Sequence, residues 1–551
     1  MIPMRIRPVL MALAILYLVL SLRALALQQA DLGEDTRLAK AITVQRGGAP
    51  LREVLSDIAR QTGVPLRISA GVSSWRACVF AEKIPASQLM SALARTFDLS
   101  WRAEGSGYLL YQSSEQRARQ EYEIRKAVTE RKRQIQNGLR LLAQGRTDQI
   151  TDPSLRYLLT GERLYVAALR VLTEAEWDSL LRGNSVLITR DRLPPPVARG
   201  QMGRINMLGI FYNPLSNLWT FRMYQPASVG ASGSGMATSA TVSTVPDVLS
   251  PQEGSARVTL KPLNPSQVTV PEALLALANA TGLAVVAEYY PLTMLPRHLS
   301  SMPSTAKSLL NELNNLRLFN IRRTGNLLRF SAQQRAWHRL SDIPHETMAK
   351  WMGDERSFGI TLAQALDILQ LKDLQREALG EWAAFMARRS QATDPVRSLF
   401  YSKLADTARS FEALLEAAAH LHTMQKQNLL AGRPLRLSAR NPTTREAFLY
   451  AASTLPDMNV GEVWIQAQVT QKTVYGAAVV TLHETGAATT YNVTMDTQEQ
   501  VHQRLAESGI MGTTRWFRAN VEEVVFRAGV GAREVRQTVM RFLRYIPDPA
   551  K

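Results

Sequence analysis

Seven histidines, one cysteine and scattered carboxylates are the residues from which this 551-residue chain could build a reactive centre. The histidines are His298, His338, His345, His420, His422, His483 and His502. Only His420 and His422 are close. Two residues apart on a helix they point to different faces, so they cannot share a metal as i, i+4 ligands do. No His-Glu-x-x-His pattern occurs, and no Gly-x-Ser-x-Gly elbow precedes a helix. Glu346 beside His345 reads as surface, and Asp354 and Glu355 are adjacent and point apart. Cys78 is alone, which rules out an intramolecular disulfide. Within Ala77-Cys78-Val79-Phe80 it reads as a small buried hydrophobe with no matched histidine to activate it. Gly233-Ser234-Gly235 lacks the lysine and the strand–helix setting of a phosphate loop. The expectation is therefore no catalytic residue, no metal ligand and no cofactor. Active sites also assemble from distant residues, so an enzyme directed at the cell wall stays as an alternative.

Charge is the other chemical resource. The formal net charge is +18, which suits acidic surfaces such as anionic lipid, wall polymer or nucleic acid without choosing among them. Residues 113–146 read as one long charged helix. Arg125, Lys126, Arg131, Lys132 and Arg133 are its candidate contacts to an anionic surface. The competing reading is a solvated helix packed on its neighbours through Ile124, Val128, Ile135, Leu139 and Leu142.

The N-terminus bears on compartment. Arg5 and Arg7 precede an apolar run from Val9 to Leu22, which has signal-peptide length and is short for a membrane helix. Arg23 ends the run, and Ala24-Leu25-Ala26 supplies a small-x-small cleavage pattern. Export with cleavage near residue 26 is expected, to a periplasmic or envelope location. An uncleaved inner-membrane anchor is the alternative. Export makes nucleic acid an unlikely partner.

The elements that would position any site begin with residues 42–112. Ile42-Thr43-Val44-Gln45 alternates as a strand should. After Gly47-Gly48-Ala49-Pro50, residues Leu51, Val54, Leu55, Ile58 and Ala59 form one face of a helix, and Gly63 stops it. Strands at 64–69 and 77–81 follow. A second helix carries Leu89, Leu93 and Phe97, and a hairpin turns at Gly105-Ser106-Gly107. The segment "PLREVLSDIARQTGVPLRI", a strand and "PASQLMSALARTFDLSWRAEGSGYLLYQ" resembles the short N-terminal domain of secretins and TonB-dependent transducers. Leu55, Ile58, Ala59, Thr62, Gly63, Leu89, Leu93, Leu99 and Tyr108 carry the resemblance. It implies a small α/β signalling or docking module rather than an enzyme.

Four landmarks recur in the same order. Val258-Thr259-Leu260 mirrors Ile42-Thr43-Val44, and Ala278-x-x-Thr281-Gly282 mirrors Ala59-x-x-Thr62-Gly63. "AQQRAW" from Ala332 mirrors "SEQRAR" from Ser114. Leu429-Leu430-Ala431-Gly432 mirrors Leu180-Leu181-Arg182-Gly183, with an insertion in the second copy. Duplication fits this better than a solenoid, which needs at least three repeats. The expected fold class is α+β, a tandem duplication of a small βαβ-type module followed by helices and antiparallel strands. The expected divisions are a signal at 1–26, module one at 38–112 and helices with strands at 113–225. A Ser/Gly-rich linker at 226–255 leads to module two at 256–332 and helices at 333–440. Antiparallel strands close the chain at 441–551, with Gly476 and Gly486 near turns and a terminal helix at 532–543. The long receptor or channel barrel is not evident, so a transport role is not implied. The expected partner is an envelope protein or a second copy, with an anionic polymer or lipid as the alternative.

Overall fold

Pro50 and Pro85 each end a strand and act as the residue before a helix, their fixed φ holding the extended conformation there. In the computed structural model these junctions belong to the first of two units. The structure describes residues 31–161, 163–194, 205–224, 229–234, 248–260, 268–295, 303–353, 358–410, 412–456, 460–482 and 488–547. The expected signal segment lies outside them.

The first unit opens with β1 (Ala41–Pro50), α1 (Leu51–Thr62), β2 (Leu66–Ile68), β3 (Arg76–Pro85), α2 (Ala86–Phe97), β4 (Ser100–Glu104) and β5 (Gly107–Tyr111). This is the order the periodicity predicts. On α1, Leu51, Val54, Leu55 and Ile58 are all buried. Their burial contributes roughly 6–12 kcal/mol as an upper bound. Gly63 takes the left-handed conformation at φ 74° and donates its N–H to the Ala59 carbonyl. β1 pairs antiparallel with β3, whereas β2, β5 and β4 form a separate three-stranded sheet. The helices lie between the two.

Helices follow: α3 (Ser114–Ala143), α4 (Pro153–Thr160), α5 (Arg163–Arg170) and α6 (Glu174–Leu181). Ser113 and Gln116 form a capping box on α3, and Thr173 and Glu176 form another on α6. The unit ends in an antiparallel sheet of β6 (Val186–Thr189), β7 (Met207–Asn213), β8 (Leu218–Tyr224) and β9 (Val229–Ser234), in that order. β9 falls inside the stretch expected to be a linker, and so does α7 (Pro251–Ser255), capped by Ser250 and Glu253. Both ends of that stretch are built into the fold. Gly233 and Ser234 lie in β9, and Gly235 falls outside the described residues.

The second unit repeats the plan. It contains α8 (Val270–Thr281), β10 (Ala284–Tyr289), α9 (Ala306–Asn315), β11 (Phe319–Thr324) and β12 (Leu327–Ala332). Gly282 caps α8 at φ 68° as Gly63 caps α1. β10 and β12 pair in parallel, as β2 and β5 do, and β11–β12 repeats the β4–β5 hairpin. The Ala306 N–H donates to the Ala256 carbonyl at 2.9 Å, the counterpart of Ala86 to Lys40 at 3.0 Å. Residues 258–260 are not the expected strand. Among the described residues, the counterpart of β1–β3 is one antiparallel bridge, Arg257 with Thr305.

Then come α10 (Arg335–Ser341), α11 (His345–Met352), β13 (Phe358–Gly359), α12 (Leu362–Leu369), α13 (Asp373–Ser390), α14 (Pro395–Ala408), α15 (Ala413–Ala419) and α16 (Thr423–Leu430). The helices at 181–183 and 430–432 end alike, with Gly183 at φ 82° and Gly432 at φ 79°. The closing sheet uses β14 (Leu435–Ser438), β15 (Glu462–Leu482), β16 (Ala488–Met495), β17 (Thr513–Val530) and β18 (Arg533–Pro547). Helix α17 (Arg445–Ser453) follows β14, and α18 (Gln498–Ser508) follows β16. The order β14-β15-β17-β18 matches β6-β7-β8-β9, so the duplication reaches the sheets. β16 and α18 are inserted between β15 and β17, the counterparts of β7 and β8.

Two readings are corrected here. The expected helix at 532–543 is strand from Arg533 onward. Gly531 at φ 58° turns the chain, and β18 then pairs with β17 from Val530↔Arg533 to Phe517↔Pro547. Gly476 is mid-strand in β15. A Cβ there would stand 2.4 Å from the Phe517 ring, so the glycine permits close packing rather than a turn.

Candidate docking surface

The two modules meet by strand pairing. β3 has β1 on one side, and on the other it pairs antiparallel with β10, from Val285↔Phe80 to Tyr289↔Arg76. Two strands of the first copy thus extend the three-stranded sheet of the second, giving the order β1-β3-β10-β12-β11. Val79 and Ala81 face one module's core, and Cys78 and Phe80 face the other's. Burial pushes the Cys78 thiol up to about 12, as expected of an unreactive hydrophobe.

Glu288 sits at this seam with 0% exposure. Its carboxylate accepts from the Ala332 N–H at 2.7 Å and from Arg335 Nε at 2.8 Å. Arg339 lies 3.5 Å away. Burial raises the carboxyl, against the pull of both guanidiniums. Arg335 also donates to the Thr96 carbonyl at 2.6 Å, and Arg339 to the Phe97 carbonyl at 2.8 Å. Cations therefore sit at the negative end of α2. Arg339 stacks 3.5 Å over the Trp75 ring. Glu288, Arg335, Arg339 and Trp75 are not singled out by the sequence reading. Arg335 lies in the repeated "QQRAW" landmark, but its counterpart Arg117 is exposed, so the repeat alone gave no hint of the bolt.

Among the described residues the terminal strands of each sheet pair on one side only, and two such edges bear on docking. The counterpart of β10 in the first module is β2, and only β5 pairs with it. Arg67 on β2 is exposed, and Leu66 and Ile68 are half-buried. In the closing sheet, among the described residues, β13 pairs with β18 only at Phe358↔Tyr545 and Gly359↔Arg544.

A cavity of about 500 Å³ opens between the second module, the β7–β8 turn, α10 and α13. Thr293 Oγ1 lies 2.7 Å from His338 Nδ1 on its wall. Burial pulls His338 down to about 4, so the ring is neutral near pH 7. Asn217, Arg317 and Gln334 line the cavity with φ of 56°, 52° and 50°. Asn217 is suited to that conformation, and its side chain bonds Arg131, Tyr212 and Ser154. Glu288 and Asp342, carboxyls held above their ordinary range among the described residues, lie off the cavity wall, which carries Glu381.

No protein-family model, curated protein or solved structure matches the chain. The resemblance to the secretin and TonB-transducer domain therefore rests on the residues quoted for it.

The five basic residues of α3 divide. Arg125, Lys126 and Arg133 are exposed, with Arg133 paired to Glu130. Arg131 turns inward, donating to Asp152 at 2.5 Å and to Asn217 at 2.6 Å, with Tyr212 beneath it. Lys132 contacts Glu174 and Asp178 on α6. Arg131 and Lys132 thus fasten α3 to its own unit. His345 bonds Arg76 at 3.0 Å, and Glu346 pairs with Arg52 on the surface. His420 is the cap of α15 and His422 the cap of α16. His298, His483, Asp354 and Glu355 fall outside the described residues. Among those described, no group of three or more His, Cys, Asp or Glu is placed to hold a metal. No described helix is long and apolar enough to cross a membrane.

Proposed function

We propose that this chain is an exported, non-enzymatic envelope protein that docks protein partners through the edges of its sheets. One observation carries the reading: β3 of one module copy is already added to the sheet of the other. Strand addition of this kind draws affinity from main-chain hydrogen bonds and specificity from alternate side chains. The placement of the raised carboxyls away from the large cavity favours docking over wall-directed catalysis. The resemblance of the first module to secretin and TonB-transducer domains points the same way, and the basic, apolar and small-residue pattern of residues 5–26 supports export.

Photo-cross-linking in cells tests it. A photoreactive residue replacing Arg67 or Val539, both on open edges, should give discrete protein adducts. One replacing Tyr122, on the exposed face of α3, should not. Equal adducts at all three positions, or turnover of wall fragments by the purified protein, would end the proposal. A second reading has its own support: Arg125 and Lys126 are exposed with no acid paired to them among the described residues. Salt-sensitive retention on anionic vesicles, lost when both become Glu, would favour it.

A further inference from the structure

We propose that the outer edge of β18, residues 533–541, is a strand-acceptor site for an acidic, apolar-alternating segment of another protein. This rests on the docking reading and names where and what it docks.

The geometry starts from β13. Ile360 N–H donates to the Leu543 carbonyl at 3.1 Å, so the backbone groups of Leu543 face outward from the sheet. Strand period two puts those of Arg541, Val539 and Gln537 on the same side. The only register shift in the β17–β18 ladder lies beyond them, at Ala528/Gly529. Among the described residues these outward groups have no partner. β13 stops at Gly359, and Thr361 caps α12, so the chain leaves the edge there. The remaining nine residues, 533–541, include that shift between Glu534 and Arg536 and span at most about 30 Å.

The side chains select the occupant. Val539 is 51% exposed beside its cross-strand neighbour Val525, an apolar spot on a polar face. The edge carries Arg533, Arg536 and Arg541 against Glu534, three positive charges against one negative. Arg541 pairs with Glu523 and Glu534 with Arg527, whereas Arg533 and Arg536 have no carboxylate within ion-pair distance among the described residues. An incoming strand with an apolar residue opposite Val539 and carboxylates on either side would satisfy both features, since opposite charges across strands attract. A second copy fits poorly. Pairing the whole free edge about its midpoint, Gln537, sets Arg533 against the other copy's Arg541, twice. Edge charges of this kind are a common defence against self-pairing.

The probe is a short fluorescent peptide of alternating Glu and Val, read by anisotropy on the full protein. It should bind with an affinity that falls as salt rises, and a Lys–Val peptide should not bind. Methylating alternate backbone nitrogens should abolish binding. Val539→Pro should weaken it about tenfold or more, because Val539 N–H points outward and its loss spares the β17 ladder. Hydrogen exchange on the unaltered protein gives a readout independent of that variant's folding. Bound peptide should slow Gln537, Val539 and Arg541 and leave β2 unchanged. Binding that survives N-methylation, protection elsewhere, or dimerisation through this edge in sedimentation would overturn the proposal. Cross-links persisting at Arg67 while the peptide fails would remove this site and leave the docking reading standing.

Discussion

His338 and Asp342, one helical turn apart, pull the protein's acid response in opposite directions. His338 stacks on Tyr290 and is held down to about 4 by burial, so acid protonates the unfolded chain first. Its contribution is present above the ordinary value of 6.5 and is lost as pH falls towards 4. Asp342 is pushed up to about 6 by burial, against the pull of Arg76. The folded chain keeps a proton there that the unfolded chain releases, so stability is lost as pH rises from about 3.8 through 6. Between pH 4 and 6 the two slopes offset. His338→Gln should leave the Asp342 slope exposed, making the protein gain stability relative to the parent on acidification. Asp342→Asn should do the reverse. Each difference is bounded by about 1.4 kcal/mol per pH unit. Urea-unfolding midpoints of parent and variants across that range measure it, and variants that track the parent would contradict both assignments.

Between elements, Glu288 and its two arginines bolt β10 to the end of α2. Arg335→Met leaves a buried carboxylate short of its nearest cation and should cost roughly 3–5 kcal/mol. Glu288→Gln combined with Arg335→Met should recover part of the loss, because the stranded charge is then gone; denaturant melts of the two variants decide it. This bolt was illegible in the sequence, where Glu288 looks like the polar position of a strand and Arg335 like a surface residue near a repeat. The first module was legible because its apolar spacing and glycine caps are local signals. β18 was not. Its apolar residues fit a helical spacing as well as a strand's, and only the partner β17 settles the matter. The matching sheets were hidden too. β7 has 7 residues and β15 has 21, and the β16–α18 insertion breaks the comparison. On α3, sequence marked five basic residues alike, yet Arg131 points inward because Asp152, Asn217 and Tyr212 converge on it from distant elements.

At the scale of the molecule, the duplication matters because its two copies are not beads on a string. They share one five-stranded sheet, so the edge of β3 is consumed inside the chain, whereas β2 ends its own three-stranded sheet. The register of that shared sheet can be tested chemically. Cys78 is the chain's single cysteine and lies opposite Ala287 across the β3–β10 seam, both facing the second module's core. Directly opposed residues of an antiparallel pair have Cα atoms about 4.5–5.5 Å apart, within the range a disulfide spans. Ala287→Cys should therefore form an intramolecular bond with Cys78 when the reduced, unfolded protein is refolded under mild oxidation, seen by mass spectrometry as a linked pair of proteolytic peptides. Val285→Cys, which faces the same core but stands opposite Phe80, should cross-link far less. Efficient linkage at 287 and not at 285 fixes the pairing to the residue. The opposite pattern would mean a shifted seam, and no linkage at either would mean that the two copies do not share a sheet, removing the internal precedent on which edge docking stands.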